Sequence, residues 1–161
     1  MESTPDYALH RTRVRPEWTD AAGLLAPAYA VVIFDQALDT LYDGIGIGLG
    51  YRRATGNSTF TMETHLLQEA PVRAGDAVLV RSHLLAVDAK RMHIAQEMFV
   101  AGREARVALM EQLGMHVDLT IRRSSAFPPD LLAEIEAAHA ALARLPAPHG
   151  TGRRIGLDAA A

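Results

Sequence analysis

The stretch of sequence that decides the fold reads WTDAAGLLAPAYAVVIFDQALDTLYDGIGIGLG, from Trp18 to Gly50. It opens with a short polar turn and continues, from residue 24 to residue 34, with apolar residues only. A helix that is apolar all round is a buried one. Pro27 fits the first turn of such a helix, where its missing N–H is not needed. The pattern therefore predicts one long helix that begins deep in the protein and ends, from Asp35 onward, in solvent.

An acidic residue, Asp20, stands just ahead of this helix. The first turn of a helix presents unpaired N–H groups and a partial positive charge. A carboxylate at that place can act as a base or nucleophile on a carbonyl group that the helix polarises. Aspartate is also common as a residue that caps a helix or closes a turn. The sequence leaves both interpretations of Asp20 open.

The amino-acid composition limits the classes of protein to which this chain can belong. A chain of 161 residues, 49% of them hydrophobic, predicts one domain with a sizeable core. The absence of cysteine excludes disulfides, thiolate metal sites and a catalytic cysteine. No apolar run has the length of a signal peptide or a membrane span, which predicts a soluble cytoplasmic protein without membrane contacts. The net charge of −3 argues against nucleic-acid binding.

Beyond residue 57 the apolar residues recur with the period of two that is typical of strands. Strands are predicted at about residues 58–69, 78–86, 92–100 and 105–122, with residues 9–15 as an opening strand. The glycines at 44, 46, 48 and 50 lack the G-x-G-x-x-G spacing of dinucleotide sites, and we interpret them as the helix end and the start of a loop that reaches residue 56.

The last predicted strand has an apolar series at odd positions, which includes Leu109, Leu113 and Met115 and is expected to face the helix. Glu111 interrupts this series. It is either a buried second site residue, with a pKa raised by burial, or a residue that a bulge near Gly114 turns outward, and the second interpretation is favoured.

Short connections between the strands predict antiparallel pairing, and the apolar face of the sheet needs the opening helix as its cover. A second helix is predicted at about residues 130–145. Residues 146–161 are expected to form a poorly ordered tail or an arm docked on a neighbouring subunit. We therefore divide the single domain into a core, 1–124, and a C-terminal helix with its tail, 125–161. Open sheet edges and the apolar circumference of the helix predict a homodimer, with a tetramer as the larger alternative.

A strand, a buried helix and a curved antiparallel sheet of about five strands resemble the α+β hotdog fold. Two motifs carry the resemblance at the level of sequence: Asp20-Ala21-Ala22-Gly23-Leu24-Leu25 and Phe34-Asp35-Gln36-Ala37. They are similar to the acid-turn-helix segment of the 4-hydroxybenzoyl-CoA thioesterase-like family, and the resemblance covers residues 8–124. Residues 16–20, 60–65, 88–93 and 112–118 resemble the branch of carnitine and betaine breakdown, which includes betainyl-CoA thioesterases.

The resemblance implies hydrolysis of a small acyl-CoA thioester, with CoA as part of the substrate and no other cofactor. Asp20 falls on the catalytic carboxylate of the family. The backbone N–H of Ala26 or Ala28 would polarise the thioester carbonyl.

Further residues are candidates for substrate contacts. Trp18, Leu24 and Tyr29 would line an acyl pocket, although an aromatic residue beside a buried helix also fits simple packing. Lys90, Arg91 and His93 would hold the CoA phosphates, the alternative being a solvated turn. The pairs Arg52-Arg53 and Arg122-Arg123 are alternatives of equal merit. The histidines lack metal-ligand spacing, so no metal site is expected.

Two departures from the family pattern keep other functions open. Many relatives carry His and Asn where this chain has Leu24 and Ala26, and Pro27 has no N–H to offer. A non-catalytic acyl-CoA-binding protein is therefore the second hypothesis. A hotdog dehydratase or hydratase ranks lower, because its catalytic Asp is followed five residues on by His, where this chain has Leu25.

Overall fold

The computed structural model describes residues 4–156. The elements are β1 (Leu9–Arg13), α1 (Pro27–Gly44), α2 (Leu49–Thr55), β2 (Asn57–Gln68), β3 (Ala77–Val87), β4 (Arg91–Val100), β5 (Arg106–Asp118), β6 (Arg123–Ser124) and α3 (Pro129–Leu142). Residues 49–55, predicted as part of a loop, form helix α2. Gly56 caps its C-terminal end with a φ of 74°, which glycine adopts without strain. Within the described residues no helix is both long and apolar enough to cross a membrane.

The sheet is antiparallel throughout, in the order β1-β3-β4-β5-β2, and the short β6 pairs with the end of β5. It curls around α1 as a half-barrel, which is the predicted hotdog architecture. Strands β1 and β2 are the two edges of the five-strand path. The curvature gives the sheet an inner face, towards α1, and an outer face.

Helix α1 is buried along one stripe only. Its buried residues are Ala30, Ile33, Phe34, Ala37, Leu38, Leu41 and Tyr42. The prediction of burial all round is wrong for the single chain, because Val31 and Val32 on the opposite side are each 39% exposed. One curled sheet covers one side of a helix, and the other apolar side is left at the surface.

The helix also begins later than predicted. Ala26 is its N-cap, with an extended ψ of 146°, because a residue that precedes proline avoids the helical region. Leu24 instead forms an antiparallel bridge with Arg73, and the N–H of Leu25 donates to the carbonyl of Val72 at 2.8 Å. The acid turn is thereby attached to the segment between β2 and β3.

The face of β5 that packs towards α1 is the opposite of the predicted one. Its inner series is Ala108, Met110, Gln112, Gly114 and His116, all of them buried. Val107 also points inward, because a register shift against β4 adds one residue there. One extra residue sends every later side chain to the other face. Leu113 and Met115 therefore lie on the outer face, and so does Glu111, through a bulge at 107 rather than near Gly114.

The C-terminal arm, residues 146–156, contacts the outer face of its own sheet. The N–H of Gly152 donates to Oε2 of Glu111 at 2.7 Å, and Pro148 is buried. Docking of the arm on a neighbouring subunit stays a prediction, and residues 157–161 lie outside the described part of the chain.

Candidate active site

Asp20 closes a tight turn and keeps one carboxylate oxygen free. Its Oδ1 accepts hydrogen bonds from the backbone N–H groups of Ala22, at 2.8 Å, and Leu24, at 3.0 Å. Its own N–H donates to the carbonyl of Leu24. No residue between 4 and 156 donates a hydrogen bond to Oδ2. The turn-closing interpretation of Asp20 is therefore confirmed through Oδ1, while its catalytic role stays a prediction that the unpaired Oδ2 permits.

The hydrogen bonds at the start of α1 show which backbone N–H groups are available to polarise a thioester carbonyl. The N–H of Ala26 donates to the carbonyl of Trp18 at 3.0 Å, which corrects the prediction that Ala26 could bind a substrate. Pro27 has no N–H, and Tyr29 donates to the carbonyl of Ala26. The N–H of Ala28 makes no hydrogen bond within the described chain and lies in the first helical turn, where such groups point out of the helix. Of the two predicted donors, Ala28 is therefore the one whose N–H is unpaired.

A cavity of about 380 Å³ opens beside Asp20, between the start of α1 and the ends of β2, β4 and β5. Leu24 and Pro27 form its wall on the helix side, and Met98 and Val107 its wall on the sheet side. Apart from Asp20 its lining is mainly apolar, with Gln68 and Glu69 as polar members. Its volume lies within the range of small-molecule sites.

Glu69 is the second carboxylate of the cavity, and no periodic pattern predicted it. It follows β2, where its N–H donates to the carbonyl of Val107. Both of its carboxylate oxygens accept from Arg106, at 2.7 Å each, and these hydrogen bonds lower the pKa of Glu69. The lining contains no lysine or arginine, so its charged groups are both acidic.

Trp18 and Tyr29 do not line this cavity, although Leu24 does. The indole of Trp18 is buried in the core and stacks on the ring of Tyr29, with ring centroids 6.3 Å apart and planes 16° apart. The guanidinium of Arg15 covers the indole at 4.9 Å. Packing, the alternative considered for these aromatic residues, accounts for both.

Lys90, Arg91 and His93 lie far from Asp20 in the same subunit. Arg91 begins β4, and Met98, in the cavity wall, is seven residues further along, which is about 23 Å of strand. Arg91 binds Oδ2 of Asp88 with two nitrogens, at 2.7 and 2.6 Å. The structure therefore separates this group from Asp20.

His93 is also separated from Asp20, because it lies on the other face of the sheet. It lies on the outer face, and its Nε2 is 2.6 Å from Oε1 of Glu111. Two other strand histidines are paired as well: His83 with Glu97 at 3.0 Å and His116 with the hydroxyl of Tyr51 at 2.9 Å. Within residues 4–156 no three potential metal ligands are grouped closely enough to hold an ion.

A polar ladder crosses the inner face of the sheet and was not predicted. Gln112 donates to Gln96 at 2.8 Å, and Gln96 donates to Ser82 at 3.2 Å. All three side chains are buried, and they lie between the two apolar clusters of the core. The period-two alternation of β3, β4 and β5 could have placed these three polar residues on the inner face. In β5 the register shift at Val107 made the alternation misleading.

The comparison with known families identifies the chain. Residues 14–135 match the thioesterase-like superfamily. The chain belongs to this superfamily. A betainyl-CoA thioesterase from Pseudomonas aeruginosa is 41% identical over 92% of this chain and 93% of its own length.

Solved structures give the same result for the fold. A protein of Pseudomonas putida KT2440, solved as a candidate thioesterase, is 31% identical with a TM-score of 0.81, and the match covers 93% of this chain and 96% of that one. A Staphylococcus aureus protein in complex with CoA has a TM-score of 0.87 at 22% identity, over 93% and 94% of the two chains. The predicted hotdog fold and the predicted enzyme class, an acyl-CoA thioester hydrolase, are confirmed.

Proposed function

We propose that the chain hydrolyses betainyl-CoA or a closely related small, positively charged acyl-CoA ester, with Asp20 as its catalytic carboxylate. The relationship to the Pseudomonas aeruginosa betainyl-CoA thioesterase supports this substrate. The observation that carries the proposal is the position of Asp20: a fixed carboxylate with an unpaired Oδ2 in the lining of a mainly apolar cavity, beside the start of α1.

The chemistry follows from two groups. The thioester carbonyl oxygen accepts from the N–H of Ala28, where the partial positive charge of α1 stabilises the oxyanion that forms. Asp20 Oδ2 then either takes a proton from the water that attacks the carbonyl carbon, or attacks that carbon itself and leaves a mixed anhydride for water to cleave. In both routes the C–S bond breaks and CoA leaves as its thiol.

The single donor sets an expectation for rate. Pro27 removes one N–H and the Trp18 carbonyl occupies that of Ala26. Loss of one oxyanion donor typically costs about 10²–10³ in rate. We therefore expect a slower enzyme than relatives with two donors.

The lining of the cavity fits a cationic acyl group. A trimethylammonium group presents methyl groups to the apolar walls and a positive charge to Asp20, whose Oδ2 is unpaired, while the charge of Glu69 is shared with Arg106. A long fatty chain would exceed a volume of about 380 Å³ once the thioester is included. The charge of the walls thus favours the betainyl group over a neutral group of the same shape.

The test compares betainyl-CoA with 3,3-dimethylbutanoyl-CoA, its neutral isostere, by release of free thiol. We expect hydrolysis of both and a kcat/KM at least about tenfold higher for the cation, which corresponds to about 1.4 kcal/mol. Equal kcat/KM values would refute recognition of the charge. Binding of both esters, seen as a raised melting temperature without thiol release, would favour the non-catalytic alternative.

We further propose a homodimer that pairs the β2 edges of two subunits. Phe60 and Met62 on β2 are 61% and 54% exposed, and Val32 on the uncovered side of α1 adds to this apolar surface. In such a pair the Lys90–His93 end of one subunit approaches the cavity of the other, so those residues could hold phosphates only across the interface. Light scattering should give twice 17.4 kDa, and Phe60→Lys should give the monomer. A monomeric wild-type protein would contradict the dimer.

A further inference from the structure

The C-terminal arm, residues 146–156, runs along the outer side of strand β5. Two contacts fix its course: Pro148 is buried, and the N–H of Gly152 donates to Glu111 of β5 at 2.7 Å. The chain turns between these two points, and the exposed side chain of His149 lies in the turn. The arm therefore brings a titratable side chain to the outer surface of β5.

Gly150, the next residue of the turn, packs against β5. A Cβ atom at this position would lie 3.7 Å from Nη2 of Arg106 and 3.7 Å from Cδ2 of Leu109. The φ of Gly150 is 93°, in the region that favours glycine, so the close course of the arm depends on this residue. The arm is thereby in contact with the guanidinium of Arg106, whose side chain is largely buried.

Arg106 connects this contact to the Asp20 cavity. Its Nε and Nη2 donate to the two carboxylate oxygens of Glu69 at 2.7 Å each, and its Nη1 donates to Glu97 at 3.3 Å. Glu69 lines the cavity. The hydrogen bonds from Arg106 lower the pKa of Glu69, and the charge of His149 lowers it further. His149 is thus near enough to act by its charge on a carboxylate of the cavity wall.

Charged and titratable groups surround the turn at His149 on each of the segments that the arm approaches. Between about pH 6 and about pH 8.5 carboxylates and guanidinium groups keep their charge, and histidine is the side chain that changes it. Among the histidines, His149 is the one whose charge lowers the pKa of Glu69. The groups are His65 of β2, Glu69 after β2, His83 of β3, His93 and Glu97 of β4, Arg106 and Glu111 of β5, and Arg153 of the arm.

We propose that His149 is a specificity residue of the Asp20 cavity: its protonated imidazole weakens the preference for a cationic acyl group, and its neutral imidazole leaves that preference at full strength. The protonated imidazole adds a positive charge beside Glu69 and offsets part of the negative charge that this wall presents to a trimethylammonium group. A neutral acyl group of the same shape does not respond to this charge. The inference rests on the proposed function for its substrate class and deepens it.

Calorimetric titration of the full chain measures this preference without hydrolysis. The probes are two thioether analogues, S-2-(trimethylammonio)ethyl-CoA and its neutral isostere S-3,3-dimethylbutyl-CoA, and the preference is the Kd of the neutral analogue divided by the Kd of the cationic one. Effects of pH on the CoA part are common to both analogues and cancel in this ratio. We expect the ratio to rise about twofold to fivefold from about pH 6 to about pH 8.5, a modest change because His149 is exposed.

Two variants at histidines provide the comparison. His149→Asn keeps a polar side chain but does not titrate, so its ratio should stay at the high-pH value of the wild type throughout. His65→Asn, at a histidine of β2 that does not line the Asp20 cavity, is the matched control and should keep the wild-type rise. Circular dichroism at both ends of the pH range checks that each variant retains its fold.

A wild-type ratio that does not change with pH would overturn the proposal, as would failure of both analogues to bind. The same rise in His149→Asn would also overturn it and would assign the dependence to another histidine, with His83 first because it binds Glu97 at 3.0 Å. The proposed function fails by a separate measurement: betainyl-CoA that releases no thiol contradicts hydrolysis, whereas the pH dependence of these Kd values concerns binding alone.

Discussion

Asp20 and Asp88 close two turns in the same way, at opposite ends of the sheet. In each, Oδ1 accepts two backbone N–H groups of its own turn. Oδ2 differs: at Asp88 it binds Arg91 through two nitrogens, whereas at Asp20 it has no partner within the described chain and faces a cavity. The comparison shows that the turn motif is structural at both places, and that the two carboxylates differ in the pairing of Oδ2 and in the cavity beside Asp20.

The largest expected difference is between equal substitutions at these two positions. Asp20→Asn keeps an acceptor for the turn but removes the charged oxygen, so we expect kcat for betainyl-CoA to fall by about 10²–10⁴ with little change in melting temperature. Asp88→Asn should leave kcat unchanged. Thiol release and thermal unfolding of both variants measure this. Similar kcat values for the two variants would end the distinction between the two turns.

The polar ladder in the core allows a second comparison of paired and unpaired polar groups. Gln96 is fully buried and is bonded on both sides, to Ser82 and Gln112. Gln96→Leu leaves both neighbours without their partner, so we expect a loss of about 2–4 kcal/mol in the free energy of unfolding. Ser82→Ala, which removes one end of the ladder, should cost about half as much.

Urea unfolding measures both losses, and kcat/KM of the folded fraction provides the second readout. A ladder that is structural only leaves kcat/KM within about twofold of wild type. A loss below about 1 kcal/mol for Gln96→Leu would show that the ladder contributes little to stability, and a fall in kcat/KM would assign it to the site.

Much of the fold could be predicted from the sequence, because local patterns determine it. The apolar run before Asp35 identified the central helix, and the period of two located four strands to within a few residues. The face of β5 could not be predicted, since one extra residue at Val107 reverses the alternation and only pairing with β4 reveals it. Likewise, no pattern within residues 49–55 distinguished a short helix from a loop.

The site was predictable only in part. Asp20 and Leu24 are only four positions apart in sequence and line the same cavity. Glu69 reaches it through a contact between distant strands, since its N–H donates to the carbonyl of Val107. Lys90 was proposed because it adjoins a turn, but the long antiparallel β4 carries that turn away from Asp20.

Glu69 offers a way to sharpen the contrast within the cavity, because it is a paired carboxylate beside the unpaired one. Glu69→Gln keeps the shape but removes a charge from the wall, so we expect KM for betainyl-CoA to rise about threefold to tenfold, with no change for 3,3-dimethylbutanoyl-CoA. Glu97→Gln is the control, since Glu97 also binds Arg106, at 3.3 Å, but lies outside the cavity. An equal rise in KM for both substrates would show loss of shape and not of charge.

The smallest expected effect concerns the Asp88 turn and its dependence on pH. The hydrogen bond from Arg91, followed by that from the Lys90 N–H, lowers the pKa of Asp88 from 3.8 to about 2. A carboxyl whose pKa is lower in the folded state stabilises the fold above its unfolded pKa, and this contribution disappears as pH falls from about 4 to about 2. Because the pair is exposed, we expect Asp88→Asn to cost less than about 1 kcal/mol at pH 6 and progressively less as the pH falls from about 4 towards about 2. Urea unfolding of wild type and variant across this range measures the difference, and a gap that stays constant down to pH 2 would mean that Asp88 stabilises its turn without its charge.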